Sequence, residues 1–207
     1  MSQEWMPQIP PNPTDAIRIA YAKLLTAMSE PPTKADDSGY IYMFWQTDEE
    51  QTADESVAAA SIIAAPSHSS VQPEEEILQR RFFRGTSGST GPAVEQRTLF
   101  LKIGRAGNVH QRMSQWQKQC RYNVSLLRYY PHAIKDGTTK LPYVGKVERL
   151  VHLHLEMLGK RVKRSCRCGT EHKEWFEIEA TAKAIREVDK IIAQWVVWNI
   201  QKYGDSR

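Results

Sequence analysis

From Gln46 to Arg97 the chain turns to Ser, Thr, Ala, Glu, Gln, Gly and Pro, ending in Gly85-Thr86-Ser87-Gly88-Ser89-Thr90-Gly91-Pro92. Few β-branched or aromatic side chains lie in it, so it cannot bury enough apolar surface to offset the entropy of ordering it. It is also far longer than the roughly four to six residues of a median connection. It therefore reads as a largely disordered insertion between two elements of one domain, with room for one short helix around Glu74 to Phe83. What remains of the 207 residues, at 41% hydrophobic content overall, supports one compact core of helices and strands and little more.

The flanking segments carry clear periodicities. Thr14 can cap a helix whose apolar residues Ile17, Tyr21, Leu24, Leu25 and Met28 share a face, with Pro31 and Pro32 stopping it. Gly39-Tyr40-Ile41-Tyr42-Met43-Phe44-Trp45 reads as a strand, and Thr98-Leu99-Phe100-Leu101-Lys102-Ile103-Gly104 as a second. Asn108 can cap a helix carrying Val109, Met113, Trp116 and Cys120. Val124 to Tyr130 forms a third strand closed by Pro131. Val147, Leu150, Val151, His154 and Leu158 mark a helix ended by Gly159, followed by a basic run from Lys160 to Arg167. Glu174-Trp175-Phe176-Glu177-Ile178 is strand-like, and Ala184, Val188, Ile191, Ile192 and Trp195 define a long amphipathic helix that covers the sheet.

A formal net charge of +4 tilts the chain towards polyanionic partners without singling one out. No run of about eighteen apolar residues is present, and the first thirteen residues lack the basic and apolar regions of a signal peptide, so the expectation is an intracellular protein of nucleus or cytoplasm without a membrane partner. Three cysteines are an odd number, and Cys166 and Cys168 are too close for a structural disulfide framework, which leaves reduced thiols or a metal site.

Two strands reading Tyr40-Ile41-Tyr42 and Lys102-Ile103-Gly104-Arg105, followed by a helix with Arg112, resemble the GIY-YIG nuclease superfamily; the interval from Lys102 to Arg112 matches the superfamily's distance from second motif to helix arginine. With Trp116, Cys120, the Val147-Glu148-Arg149-Leu150-Val151-His152 helix and His172-Lys173-Glu174-Trp175-Phe176, the chain resembles the bacteriophage T-five ORF family of DNA-binding domains, especially its fungal, meiotically-upregulated-gene-like members. The resemblance covers roughly Gly39 to Ile200 without the insertion. It implies an α+β fold, a small antiparallel sheet flanked by helices, with the long insertion between the first two strands. The domain would span 39–203, after an N-terminal tail and helix at 1–38 and before a tail at 204–207. Active relatives carry a metal-dependent phosphodiester-cleaving site on the sheet. Lys102 stands where the family name has its second tyrosine, as in some restriction-enzyme relatives.

Phosphodiester hydrolysis needs a deprotonated nucleophile, a cation against the phosphate and a metal held by carboxylate. Tyr42 matches the first-motif tyrosine and could accept a proton from water if a cation lowered its pKa; otherwise it is a core tyrosine. Lys102 could be that cation or an exposed lysine at a strand edge, and Arg112 could fork onto phosphate oxygens as no lysine can. Arg105 is a further phosphate contact. Glu148 matches the single metal-binding carboxylate, suited to Mg²⁺, and His152 lies one helical turn beyond it. Cys166, Cys168 and His172 supply three ligands suited to structural Zn²⁺, with Cys120 the first choice for a fourth and His152 the second. Lys160, Arg161, Lys163 and Arg164, with Arg167, can neutralise phosphates or form a solvated basic loop. Three functions fit: a DNA-binding module, an active Mg²⁺-dependent endonuclease, or a protein-interaction module that has lost both. Oligomeric state is not encoded legibly.

Overall fold

The computed structural model describes residues 5–33, 35–47, 98–120, 123–131, 140–166 and 168–204. The expected insertion therefore lies outside the described residues from position 48 onward, as do its short helix and Arg167. In chain order the elements are α1 (Asp15–Ser29), β1 (Tyr40–Thr47), β2 (Thr98–Ala106), α2 (Val109–Cys120), β3 (Asn123–Tyr130), α3 (Val144–Met157), β4 (Arg161–Ser165), β5 (Glu171–Glu179) and α4 (Ala182–Tyr203). The strands form one sheet in the order β3-β1-β2-β5-β4, antiparallel throughout. The class is α+β, as expected. Among the described residues no helix is long and apolar enough to cross a membrane.

β1 and β2 pair from Tyr40↔Ala106 to Trp45↔Leu101 although they flank residues 48–97. Gln46 and Thr47, assigned from composition to the insertion, instead extend β1 by pairing with Val124 and Asn123 of β3. Polar side chains hide a strand's end from a reading based on apolar content; the ladder is held by backbone groups.

β1 is apolar on both faces because both are covered. Ile41, Met43 and Trp45 join Leu101, Ile103, Phe176 and Ile178 in a core roofed by α1, α3 and α4. Tyr42 and Phe44 join Trp175 on the opposite face, under Val109, Trp116 and Cys120 of α2. Each such large side chain contributes on the order of 1.5–3 kcal/mol by leaving water. The helix starts follow the local chemistry. Thr14 Oγ1 accepts from Ile17 N, Asn108 Oδ1 from Gln111 N and Thr181 Oγ1 from Ala184 N. α3 is different: Tyr143 at its N-cap is left-handed (φ 49°) and offers no side-chain bond. Asp36, 109 and 110 residues away in sequence, caps α3 instead, its two oxygens accepting from Gly145 N at 2.6 Å and Lys146 N at 2.7 Å.

The basic run is not a loop. Residues Arg161–Ser165 form the edge strand β4, paired with β5. With Val162 its only apolar side chain, β4 lacks the alternation that marks a half-buried strand, and its lysine and arginines suit an edge that must not recruit another sheet.

Tyr42 lies directly across from Gly104, and its ring covers the glycine so closely that a Cβ there would collide with the phenol. Gly104→Ala should therefore destabilise the domain by about 1–3 kcal/mol, read as a lowered midpoint of thermal unfolding; an unchanged midpoint would show that the ring is free to move.

Candidate functional site

Pairing of β2 with β5 ends at Lys102↔Trp175. Beyond it the Ile103 carbonyl is met by His152 of α3, whose Nε2 lies 2.9 Å away. A carbonyl only accepts, so this nitrogen carries the proton; burial pulls the imidazole pKa down to about 4, keeping it neutral. Meanwhile β5 carries an extra residue: β4 advances from Val162 to Arg164 while β5 runs from Trp175 to His172. This bulge turns Glu174 and His172 towards the face that Trp175 occupies, where strict alternation would put them on the other. The gap between β2 and the departing β5 opens into a cleft of about 770 Å³ lined by Tyr42, Arg105, Arg112, Glu148 and Glu174, with Asp36 and Asp37 at its rim.

The structure thus brings Tyr42, Arg105, Arg112 and Glu148 together from three elements and a strand end, with Lys102 beneath them. Lys102 has no exposed surface. Its Nζ lies 2.5 Å from Glu174 Oε2 and 4.0 Å above the Trp116 ring. Burial holds the ammonium below the usual lysine pKa, with Glu174 opposing the shift. Burial alone would raise the Glu174 carboxyl, but the charge and hydrogen bond of Lys102 hold it below the usual range. Arg105 Nε sits 3.1 Å from Glu148 Oε2. Even so, burial and then the charge of Glu174 push Glu148 up to about 7. Tyr42 is raised above the ordinary phenol value by burial, against the Arg112 guanidinium beside its hydroxyl, and so stays protonated at neutral pH. Arg112 is half-buried, donates from Nη1 to Gln115 Oε1 at 3.2 Å, and makes no direct ion pair among the described residues, although its charge is felt by Glu174.

The residues of the basic run stand apart. None of Lys160, Arg161, Lys163 and Arg164 lines the cleft. Arg161 is tied to Glu156 (2.6 Å) and to the Lys173 carbonyl, Lys163 to Glu171 (3.9 Å), and Arg164 lies 4.0 Å over the Phe100 ring.

A second constellation forms where the β4–β5 turn meets the end of α2. Cys166 N donates to the Thr170 carbonyl and Gly169, with φ +81°, closes the turn, which sets Cys166, Cys168 and His172 around Cys120. All four ligand atoms lie within 4.8 Å of one another; His172 Nε2 is 3.5 Å from both Cys120 Sγ and Cys168 Sγ, and those sulfurs are 3.9 Å apart. Tetrahedral Zn²⁺, with Zn–S about 2.3 Å and Zn–N about 2.0–2.1 Å, needs ligand-to-ligand edges of roughly 3.5–3.8 Å. The four residues therefore fit a metal such as zinc. All three cysteines are free thiols, and burial with the neighbouring sulfurs pushes Cys120 up to about 12, a penalty that metal coordination relieves. His152, the other candidate fourth ligand, is committed to Ile103 and takes no part. Glu148, proposed from sequence as a metal ligand, belongs to the cleft and not to this cluster.

Fold and site together define an α+β domain with a mixed-charge cleft at a sheet divergence and a three-cysteine, one-histidine cluster beside it. Residues 98–198 match the family model described as Meiotically up-regulated gene 113. That span begins with β2 and ends within α4, so it holds Lys102, Arg105, Arg112, Glu148, Glu174 and the whole cysteine–histidine cluster, but not Tyr42. Neither a curated protein nor a solved structure matches the chain.

Sequence reasoning did not single out Glu174 or Asp36 as site residues. Glu174 carries no signal outside the bulge, and Asp36 is one loop acid among several.

The Glu148 carboxyl has a folded pKa near 7 against an ordinary 4.5. The folded state therefore binds more protons than the unfolded state between those values, and stability falls as pH rises through the window. Glu148→Gln should raise the melting temperature at about pH 8, the gain in stability being at most about 3 kcal/mol, and leave it nearly unchanged at about pH 4.5. Melting curves of both proteins across that range provide the check.

Proposed function

We propose that this domain binds DNA by seating a backbone phosphodiester in the cleft, on a scaffold of the GIY-YIG, phage-ORF type. The observation that carries this reading is the placement of Arg112 beside the Tyr42 hydroxyl with no direct ion pair to a carboxylate among the described residues. A planar guanidinium and a protonated phenol are both donors, and together they form a fork for phosphate oxygens. Lys102 is neutralised by Glu174, and Arg105 is paired with a Glu148 carboxyl that burial keeps partly protonated near neutral pH, so Arg105 is left with part of its charge to add to that of Arg112. Lys160 and the edge-strand cations Arg161, Lys163 and Arg164 would add diffuse attraction at a distance.

A second reading, a Mg²⁺-dependent endonuclease, is favoured by the entry of Glu148 into the same cleft as Tyr42 and Arg112. Glu148 would hold the ion, which supplies charge stabilisation at phosphate when bound. Binding ranks first because Tyr42, the residue available as a base, is held protonated by burial.

Supercoiled plasmid incubated with the protein, with and without Mg²⁺, should show a mobility shift without the metal, and its affinity should fall steeply with salt as counterions are released. Arg112→Ala should weaken binding about tenfold or more. Flat affinity from low to moderate salt would overturn the reading, and Mg²⁺-dependent nicking would promote the second.

The cysteine–histidine cluster is read as a structural zinc site that pins the β4–β5 turn to the end of α2. Trp116 connects it to the cleft, lying 4.7 Å from the His172 ring on one side and under Lys102 on the other. Elemental analysis of protein prepared without chelator should give about one zinc per chain. Chelation should lower the melting temperature and shift tryptophan emission; sub-stoichiometric zinc with an unchanged melt would return these residues to ordinary thiols and a histidine.

A further inference from the structure

The cleft does not end at Arg112. A second cavity of about 320 Å³ shares Ala106, Gly107 and Arg112 with it, and adds Asn108, Gln111, Gln115 and Lys140. Its chemistry is the reverse of the cleft's. Four carboxylates line the cleft, whereas this groove has none: three amides and one ammonium replace them.

Two of its groups are uncommitted. Gln111 is exposed on the first turns of α2, and its side-chain amide has no hydrogen bond among the described residues. Lys140 is exposed and pairs with no carboxylate among them. Its position is nevertheless fixed, because Leu141, the next residue, exchanges both backbone hydrogen bonds with Gly39 (2.8 and 3.0 Å). Gln115 is occupied: its Oε1 accepts from Arg112 Nη1, so it holds the guanidinium at the junction of the two cavities. Gly107 lines both, and a Cβ there would meet nothing within 4 Å, so the passage between them is open.

We infer that the groove is a subsite for the nucleotide adjoining the phosphate held in the cleft, with Lys140 contacting its phosphate and Gln111 hydrogen-bonding the edge of its base. This rests on the DNA-binding reading of the cleft and deepens it. A neutral amide presents a donor and an acceptor together, the pairing suited to a base edge and adenine above all, and it adds no net charge. A lone cation with no internal partner gains by meeting a phosphate. One residue would thus carry base preference and the other salt dependence.

The test uses the full chain and fluorescein-labelled DNA oligonucleotides that differ at one base, titrated over a range of salt. The three variants lie at exposed positions, and melting curves confirm that they fold. Lys140→Ala should lower the slope of log affinity against log salt by about one, with no change in preference among the oligonucleotides. Gln111→Ala should weaken binding about two- to tenfold, flatten the preference and leave the slope intact. Gly107→Leu should weaken binding by narrowing the passage. If Arg112→Ala loses binding while the Lys140, Gln111 and Gly107 variants match the parent in affinity, slope and preference, the subsite is refuted and the cleft reading stands. If the parent protein binds none of the oligonucleotides, the cleft reading falls and the subsite with it.

Discussion

An ammonium group without exposed surface must find its counter-charge inside the protein, and Lys102 finds it in Glu174 where β2 and β5 separate. Such a pair costs desolvation on both sides, and replacing it with apolar side chains of similar volume is often neutral or stabilising in other proteins. Its place here is better understood from what surrounds it. The Glu174 carboxylate meets Lys102 beside the β5 bulge, at the point where β2–β5 pairing ends and the Ile103 carbonyl passes to His152. Pair, bulge and cleft are one arrangement seen at three scales.

The sheet separates two kinds of interior. On the side of α1, α3 and α4 the packing is mainly apolar but threaded by polar contacts, with His154 accepting from Trp195 Nε1 and Asp189 of α4 accepting from Arg128 and Tyr130. On the side of α2 the interior is thin and aromatic: Tyr42 stacks on Phe44 at 5.1 Å, and Trp116 contacts Lys102, Arg112 and His172. A thin layer cannot be held by burial alone. The cysteine–histidine cluster at its far end provides a second means of fixing it.

The helices were legible because their signals are local. Val109, Met113, Trp116 and Cys120 fall at helical spacing, and the caps Thr14 and Asn108 stand where the sequence places them. Cys120 as the fourth member of the cluster was legible from chemistry, since one cysteine remained and it ended the right helix. β4 was not legible because an edge strand needs only Val162 to face inward. Glu174 was not legible because the bulge breaks the two-residue period on which strand reading depends. Asp36 could not be found at all: its role as the cap of α3 exists only after a chain separation of 109 residues has been closed in space.

β1 lies between β3 and β2, bonded along both edges, and is separated from β2 in sequence by residues 48–97. Tyr42 enters the cleft from that strand, and Arg105, Arg112 and Glu148 enter it from the stretch of chain that follows residue 97. The site is thus divided between two stretches of chain that meet by strand pairing and side-chain packing, the condition under which two separate polypeptides, cut within 48–97, can reassemble into one working unit. Activity recovered only on mixing such halves would be a property of β1's place in the sheet, and it makes this domain a natural candidate for fragment complementation.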